Sequence, residues 1–562
     1  MDRGGHQGRH HLTMTAGGER TTAVPGPDAA TPAPAAGAAE DQEGRTDLGA
    51  APPPVRRPWW VWTVPFAALF VLLCLRNHFL FTARLYEQGD AGANSILIEQ
   101  AKHFTLLVGN YSRERFNHPG PAYMYVQALG EYLFQNALHV VPTPWNAHML
   151  SVFALNCGFV ALAAGVVYGW TRSLWGAAAC FAVFTAFAIA YPPIVNSDWM
   201  PHMYVLAYMV FILAAGSVAA GRAQDAWIFT LTGWFLIHGH ACFLLFVPVL
   251  TAAVLTAVLW PRRHSLLASA GRFFRDRRRA WVPVAAISAL FALPIVVNLV
   301  LHWPGDFGKY ISYGGSGRAG GHGLPQVVRY ALWFWWPHQD AWLVPLAGYP
   351  AALAAAFWLA RGPLRRLLFA LLAVNVISSV AFLCYAAVGI DSLSDYYIGY
   401  FYWSAPLVTV LVIVLAALSA SSVRAVPLRL TTGVAVLAAV ATFAVLAVIP
   451  GTRTGSTNDI DESLPRVVAT LAARAQGKTI VLHIDHAAWV ETTGFLVQAE
   501  RTGVKACLHD PWYTFLMTRQ FICTPAQTAS GQAYWFYTPG GLPPHAHVLL
   551  RFSGMAVVPA SP

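Results

Sequence analysis

The chain has 562 residues, of which 56% are hydrophobic and only 11% are charged. Soluble globular chains usually carry about 25% charged residues. This composition therefore excludes an ordinary soluble enzyme, a disordered protein and a typical nucleic-acid-binding domain. The sequence instead passes repeatedly through stretches of roughly 20 apolar residues, the length that an α-helix needs to cross a bilayer. We therefore predict a multi-pass membrane protein.

The apolar stretches divide the chain into three parts. Residues 1–55 are rich in Ala, Gly, Pro and Thr and have almost no bulky apolar residues, which predicts a disordered cytoplasmic tail. Residues 56–449 are expected to form the membrane domain, and residues 450–562 a C-terminal domain. Eleven membrane spans are predicted near residues 59–81, 147–169, 174–191, 203–221, 226–238, 241–260, 281–301, 341–360, 367–388, 400–420 and 430–449.

The charges of the connecting loops predict the orientation of these spans. If the N-terminus is cytoplasmic, the inside loops carry 14 Lys and Arg residues, whereas the much longer outside loops carry seven. The positive-inside rule then places the N-terminus inside and, with an odd number of spans, the C-terminus outside. The net charge of +10 is therefore interpreted as a topology signal and not as a nucleic-acid surface. Ten of the 12 acidic residues of the membrane region lie outside, so any chemistry is expected there.

The polar C-terminal region has the pattern of a small α/β domain. Strands are predicted at 479–484, 504–508, 533–538 and 546–551, and helices at 487–501 and around 512–519. No glycine-rich phosphate loop follows the first strand, so no nucleotide site is expected. Because the domain is predicted to lie outside, Cys507 and Cys523 form either a disulfide or two free thiols.

Two polar motifs lie in the first long outside loop, residues 83–146. In the first, residues 86–94, Asp90 is placed just beyond the outer membrane surface, ahead of a helix predicted over 93–107. The second, residues 117–125, reads Asn-His-Pro-Gly-Pro-Ala-Tyr-Met-Tyr. Its His118 and Tyr123 open an aromatic amphipathic helix predicted over 122–138.

These motifs resemble those of the GT-C superfamily, which are integral-membrane glycosyltransferases that use polyprenyl-phosphate-linked sugars. The superfamily includes the protein mannosyltransferase and lipid A aminoarabinose transferase families. The resemblance extends to Asn196-Ser197-Asp198 and to His238 and His240, and it covers roughly residues 59–345. It implies an all-α polytopic membrane domain of about 11 helices, followed by a small extracytoplasmic α/β domain.

The resemblance also implies an activity. The protein would transfer a sugar, with inversion, from a polyprenyl-phosphate donor to an envelope glycan, lipid or protein, on the outer face of a bacterial cytoplasmic membrane. Since a lipid phosphate is already a good leaving group, the reaction needs one base to deprotonate the acceptor hydroxyl and no general acid. By resemblance Asp90 is this base, and Asp198 is a second acid that orients the acceptor or holds a metal.

The sequence does not single out one set of residues for binding a metal or the donor phosphate. The superfamily often has an acidic pair in the first loop, whereas here Ala91 follows Asp90, so a need for Mg²⁺ or Mn²⁺ on Asp90 and Asp198 is left open. The expected phosphate partners are basic residues near the outer interface, because they stabilise the departing phosphate. The candidates for binding the donor phosphate or substrate are Arg76, Lys102, Arg113, Arg115, His118, Tyr123, His240, Lys309 and Arg318.

A purely structural role is the alternative for these residues. Asp90 is also suited to capping a helix N-terminus, Asp198 to an ordinary turn, and Arg76 to reaching the lipid headgroups. His238 and His240 suit hydrogen bonding in the core as well as substrate binding. At the level of function, one alternative is a transporter or flippase of lipid-linked precursors, which predicts mid-span charges and repeated halves. The other is a non-catalytic membrane scaffold.

Overall fold

The computed structural model describes residues 57–260, 278–315, 321–335, 343–420 and 460–560. Helices lie at ten of the eleven predicted spans, and the eleventh, 430–449, lies outside the described residues. The predicted tail over 1–55 and the candidate Arg318 also lie outside them. Five helices are long and apolar enough to cross a membrane by length and composition, and four further apolar helices are shorter. These helices characterise a multi-pass membrane protein.

Helices of the described residues lie at ten of the predicted spans, in the predicted order along the chain. We number all helices in chain order and give this set first. They are α1 (Trp60–Arg76), α4 (Pro144–Thr171), α5 (Leu174–Ala190), α7 (Met200–Ala219), α8 (Ala226–Gly239), α9 (Phe243–Leu259), α10 (Arg278–His302), α13 (Leu343–Trp358), α14 (Gly362–Val388) and α15 (Ser404–Ala420).

Helix α7 is the centre of the helical core. In its most apolar window 94% of the residues are buried, against only 6% in the window of α10. A helix that is hydrophobic on all sides is either buried in a large core or exposed to lipid, and these two helices show the two cases. Since α7 is held on every side, the residues at its N-terminal end, beginning with Trp199 and Met200, have fixed positions.

The segments between these helices carry short helices of their own. These are α2 (Gly89–Lys102), α3 (Ala122–Gly130), α6 (Pro193–Asn196), α11 (Gly305–Gly315) and α12 (Leu324–Trp333), and a π-helical segment, Glu131–Ala137, continues α3. The predicted boundaries 93–107 for α2 were wrong. The helix begins four residues earlier because Gly89 adopts a positive φ of 58°, which turns the extended chain at Gln88 into the helix.

The C-terminal region forms the predicted small α/β fold. A five-stranded sheet has the order β2-β1-β3-β5-β4, in which β1 is parallel to β2 and β3, while β5 is antiparallel to β3 and β4. Its strands are β1 (Ile480–Ile484), β2 (Ala506–Leu508), β3 (Gln532–Tyr537), β4 (Leu550–Phe552) and β5 (Met555–Pro559). Its helices are α16 (Leu464–Ala475), α17 (Trp489–Arg501), α18 (Thr514–Met517) and α19 (Pro525–Ser530).

Two predictions for this domain need correction. The strand predicted at 546–551 begins only at Leu550, and the strand β5 was missed. Ser553 and Gly554 both have positive φ and form the tight turn between β4 and β5, a geometry that favours two-residue hairpins. The helix predicted around 512–519 is broken into short helical turns, the last two separated by Thr518, whose φ is +62°.

Helix α2 belongs to both hydrophobic cores of the protein. Its Leu97 and Ile98 pack in the core of the membrane helices, whereas its Ala93 and Ile96 are fully buried in the core of the C-terminal sheet and helices. At the contact with α17, a Cβ atom on Gly92 would lie 2.6 Å from Thr493 Oγ1, so the two helices approach backbone to backbone. The C-terminal fold therefore fixes the position of α2.

Cys507 and Cys523 are joined in a disulfide that closes a loop of 16 residues in the C-terminal sheet region. We expect the double variant Cys507→Ser/Cys523→Ser to lose about 3 kcal/mol of stability, because a crosslink of this loop length restricts the unfolded chain by that amount. The measurement is the unfolding midpoint of the full chain in detergent, with and without reductant. A midpoint equal to that of the wild-type chain would contradict a stabilising disulfide.

Candidate active site

Asp90 lines a cavity of about 330 Å³ at one end of the helical core. The walls come from the start of α2, residues 110–118, the N-terminal end of α7 and the segment after α14. Ligand sites are typically concave, mostly apolar and provided with a few convergent polar groups, and this cavity has that character. Its lining includes Asp90, Asn94, Tyr111, Arg113, Glu114, His118, Trp199, Tyr204, His240, Tyr313, Tyr385, Asp391 and Tyr397.

The Asp90 carboxylate is held by two neutral donors. Tyr111 Oη donates a short hydrogen bond to Oδ1, and Trp199 Nε1 donates to Oδ2 at 2.8 Å. Asp90 is the second residue of α2, and the N-cap position is occupied by Gln88, so the alternative of an N-cap aspartate is wrong. No salt bridge to Asp90 occurs among the described residues. Within those residues, the carboxylate therefore faces the cavity with its position fixed and its charge unpaired.

Residues 109–118 form a small hairpin that brings Tyr111 and two of the candidates, Arg113 and His118, into the cavity. Gly109 N–H donates to His118 O at 2.8 Å, His118 N–H donates to Asn110 O at 2.8 Å, and Ser112 N–H donates to Phe116 O at 2.7 Å. A β-bridge joins Tyr111 and Asn117. This backbone pairing explains why Tyr111, Arg113 and His118, which are up to seven residues apart in the sequence, line one wall.

The rings of His118 and His240 contact each other at a tilt of 32°, with centroids 4.2 Å apart. Burial, and then the neighbouring charge of His240, lower the pKa of His118 well below its usual value, so that its imidazole is neutral at physiological pH. Ala241 N–H donates to His118 Nδ1 at 3.2 Å, and Cys242 N–H donates to His240 Nδ1 at 3.1 Å. Because each Nδ1 accepts, each neutral ring carries its proton on Nε2 and can donate it to a ligand.

Arg113 clamps the hairpin to the segment that follows α14. Its guanidinium nitrogens lie 2.5 Å from Asp391 Oδ1 and 2.6 Å from Asp395 Oδ2, and they also donate to Tyr397 Oη at 3.1 Å. Two carboxylates thus neutralise Arg113, although its side chain remains 41% exposed at the cavity rim. Arg113, which was expected to bind the donor phosphate, is therefore already paired. A phosphate would have to compete with Asp391 and Asp395 for its guanidinium.

The second predicted acid, Asp198, does not line this cavity. Its side chain is buried, Trp145 Nε1 donates to its Oδ2 at 2.9 Å, and burial raises its pKa. The next residue, Trp199, projects into the cavity instead and binds Asp90. The motif Asn196-Ser197-Asp198 therefore points to the right segment, while the side chain that reaches the site is one residue further on.

Several other candidates lie away from Asp90. Arg76 lines a separate, largely apolar cavity together with Asn77 and Asn196. Lys102 forms ion pairs with Glu99 and Glu131. Tyr123 is buried against Tyr204, and no hydrogen-bond partner for its hydroxyl occurs in the described part of the chain. His238 accepts a hydrogen bond from Ala122 N–H and contacts Phe291 O at 2.9 Å, so the core alternative is correct for this histidine.

Arg115 and Lys309 lie beside the cavity that contains Asp90. The guanidinium of Arg115 lies over the ring of Trp512 at 4.7 Å. Lys309 Nζ donates to Asp306 Oδ1 at 2.7 Å and to Arg115 O at 3.1 Å. Lys309 lines a cavity of about 470 Å³ that shares Glu114 and Tyr313 with the cavity of Asp90. Since Lys309 is 55% exposed, it is accessible to an anionic ligand.

Asp90 and Asp198 do not converge on one site. Within the described ranges, no group of three or more His, Cys, Asp and Glu side chains is placed to hold a metal ion. Asp90 is bonded by Tyr111 and Trp199 in the cavity, whereas Asp198 is buried on Trp145 outside the cavity lining. The two acids therefore do not form a joint metal site, and no step of the reaction is assigned to a metal.

A buried chain of charges connects the site to the C-terminal domain. Arg501 Nη2 lies 2.8 Å from Glu87 Oε1, and Arg501 Nε lies 2.8 Å from Glu99 Oε1. Lys102 then connects Glu99 to Glu131, whose other oxygen lies 3.1 Å from His148 Nε2 in α4. Sequence reasoning missed this network because its members are separated by up to 414 residues. The one available signal was the presence of Glu87 only three positions before Asp90.

No protein-family model and no curated protein matches the chain. Among solved structures, it is similar to ArnT from Cupriavidus metallidurans in the apo state. The two chains share 14% sequence identity, the aligned region covers 88% of this chain and 97% of that chain, and the TM-score is 0.49. A similarity at this level does not determine a reaction, so the reaction is inferred from the side chains of this protein.

The charge network predicts a loss of stability in acid. Burial alone raises the pKa of Glu131, but the hydrogen bonds and charges of His148 and Lys102 outweigh it and hold the pKa at about 2. A carboxyl group with a pKa lower in the folded than in the unfolded state stabilises the fold at neutral pH. This stabilisation is complete above roughly pH 5 and is lost as the pH falls towards 2.

The test compares the unfolding midpoint of the wild-type chain with that of Glu131→Gln across this pH range. We expect the variant to be less stable at pH 7 and to lose less stability on acidification, because its amide cannot titrate. Parallel curves for the two proteins would show that the Glu131 carboxylate does not contribute in this way.

Proposed function

We propose that the protein is a GT-C-type membrane glycosyltransferase that moves a sugar from a polyprenyl-phosphate donor to a cell-envelope acceptor, with inversion, on the outer face of the cytoplasmic membrane. The observation that supports this proposal most directly is the Asp90 carboxylate. It lies in a cavity at the end of the apolar helices, held by Tyr111 and Trp199 and without an ion-pair partner in the described residues. The motif resemblance of residues 86–125 and 196–240 is its second support.

Asp90 is the best suited of the cavity carboxylates to act as a general base. Asp391 is paired with Arg113 at 2.5 Å, and Glu114 lies 4.0 Å from the same side chain. Both carboxylates therefore already lie beside a positive charge, whereas a base needs a lone pair that is free for the acceptor hydroxyl. Asp90 has only neutral hydrogen-bond donors among the described residues. They fix its orientation while at least one lone pair remains available to the acceptor hydroxyl.

The proposed reaction is a single displacement at the anomeric carbon. The acceptor oxygen forms the new glycosidic bond, its proton moves to Asp90, and the bond from the anomeric carbon to the phosphate oxygen breaks. The lipid phosphate leaves with the electron pair. The Nε2–H groups of His118 and His240, and the ammonium of Lys309, are the donors proposed to stabilise the negative charge on this phosphate.

The aromatic walls of the cavity suit a sugar ring. Trp199, Tyr111, Tyr204 and Tyr397 all line it, and aromatic faces combine apolar contact area with polar edges. The lipid chain of the donor would remain in the bilayer beside the apolar helices. A wholly apolar ligand would leave the polar groups of this cavity unpaired, which is unfavourable.

The first test is transfer by Asp90→Asn in proteoliposomes, supplied with a panel of polyprenyl-phosphate sugars that includes mannosyl and arabinofuranosyl donors. We expect Asp90→Asn to lose activity by about 10²- to 10⁴-fold, the usual contribution of a general base. The readout is release of polyprenyl phosphate and labelled product at matched protein content.

Asp198→Asn is the comparison variant, because its carboxylate is buried on Trp145 and lies outside the cavity lining. We expect it to retain transfer per folded molecule. If Asp90→Asn is expressed normally and keeps full activity, the general-base proposal is wrong, and a transporter or a non-catalytic scaffold becomes the better interpretation.

A second test concerns the donor that orients Asp90. We expect Trp199→Phe to lower kcat by about tenfold, because it removes one of two hydrogen bonds to the carboxylate, and misorientation of a catalytic group is costly. Trp145→Phe is the matched control, since Trp145 makes the equivalent bond to Asp198. Equal losses in the two variants would indicate a general packing effect and contradict a specific role for Trp199.

A further inference from the structure

The segment that carries Asp90 is fastened to the C-terminal domain on both sides of the carboxylate. Before Asp90, Asp461 N–H donates to Tyr86 O at 2.7 Å, and Glu87 forms a β-bridge with Ile460. At the start of α2, Thr493 Oγ1 donates to Gly89 O at 3.1 Å. The backbone around Asp90 is therefore held by residues from the far end of the chain.

Arg501 makes the strongest of these contacts. Its side chain is 11% exposed, and its guanidinium forks between Glu87 and Glu99, which lie before and after Asp90. Glu87 is 1% exposed and also accepts a 2.5 Å hydrogen bond from Ser95 Oγ, in the second turn of α2. A guanidinium has fixed donor directions, so bonds to one carboxylate ahead of α2 and to another in its third turn determine the rotation of that helix.

The C-terminal domain also reaches the other groups around Asp90. The ring of Phe515 contacts the ring of Tyr111, which donates to Asp90, with centroids 6.1 Å apart. The ring of Trp512 supports Arg115 in the turn of the hairpin. The domain thus contacts both α2 and the hairpin, which are the two elements that meet at Asp90.

We infer that the C-terminal domain positions the active site, and that Arg501 is a positioning residue that sets the orientation of the Asp90 carboxylate through Glu87 and Glu99. This inference rests on the proposed function, in which Asp90 is the base. Arg501 does not line the cavity and is not expected to touch the substrate. Its loss should therefore affect turnover more than donor binding.

The test compares Arg501→Met and Arg501→Lys with Arg474→Met, a control on the exposed side of α16. We expect Arg501→Met to lower kcat by about 10- to 100-fold with little change in the donor KM, since small displacements of a catalytic group cost this much. Arg501→Lys should recover only part of the loss, because a single ammonium cannot reproduce the fork. Arg474→Met should behave as the wild-type protein.

A second variant separates positioning from simple misfolding. Arg501→Met alone leaves Glu87 buried without its counter-charge, which is strongly destabilising. In Glu87→Gln/Arg501→Met neither charge remains, the amide can still bond Ser95, and Glu99 keeps Lys102. We expect this double variant to fold and still show the lower kcat. A wild-type kcat in the folded double variant overturns the inference.

A measurement without catalysis distinguishes this inference from the proposed function. Asp90→Cys is labelled with a membrane-impermeant thiol reagent, and the labelling rate at position 90 is followed by mass spectrometry. The rate is compared between the chain that keeps Arg501 and the chains that also carry Arg501→Lys or Arg501→Met. We expect the rate to change at least fivefold with Arg501→Met and by less with Arg501→Lys.

Different results would contradict the positioning role of Arg501 and the base role of Asp90. An unchanged labelling rate with Arg501→Met overturns the positioning role, whatever the activity of Asp90→Asn. A fully active Asp90→Asn, together with a changed labelling rate, overturns the base assignment and leaves the contact between Arg501 and the Asp90 segment in place.

Discussion

The buried ion pair between Arg501 and Glu87 is the interaction on which the arrangement of the site depends. Removing two charges from water is unfavourable unless each finds good partners, and here Arg501 also bonds Glu99 while Glu87 also bonds Ser95. These partners are available in one relative placement of α2 and α17. The charges therefore specify how the C-terminal domain meets the segment between α1 and α4, and this contact decides where Asp90 lies.

The cavity combines groups whose charge states are set by their surroundings. Burial keeps His118 neutral and leaves it a proton on Nε2, the nitrogen that is free to donate to a ligand. Arg113 is neutralised by Asp391 and Asp395, so its role is to close the wall. Asp90 is left as the carboxylate with only neutral partners in the described part of the chain. One carboxylate among neutral donors suits the proposed transfer from a phosphate leaving group, which departs without a general acid.

The sequence predicted the helices better than the site. A span of about 20 apolar residues has few alternatives to a membrane helix. The alternation of apolar and polar residues predicts the C-terminal strands in a similarly direct way. Among the site candidates, His118, His240 and Arg113 line the same cavity as Asp90. Asp198 instead bonds Trp145, and Lys102 pairs with Glu131, both away from that cavity. Trp199 was missed because a tryptophan at the end of a membrane helix is usually an interfacial anchor.

The sequence by itself determined the class of protein, the positions of its membrane helices, the α/β pattern of its last 110 or so residues, and the loop that carries Asp90. These properties depend on local periodicity and composition, which a linear pattern records. Only the tertiary structure decided which polar residues meet. The partners of Asp90 lie 21 and 109 positions away, and the ion pair of Glu87 spans 414. Side-chain contacts over such separations depend on how helices pack, and no local pattern encodes that.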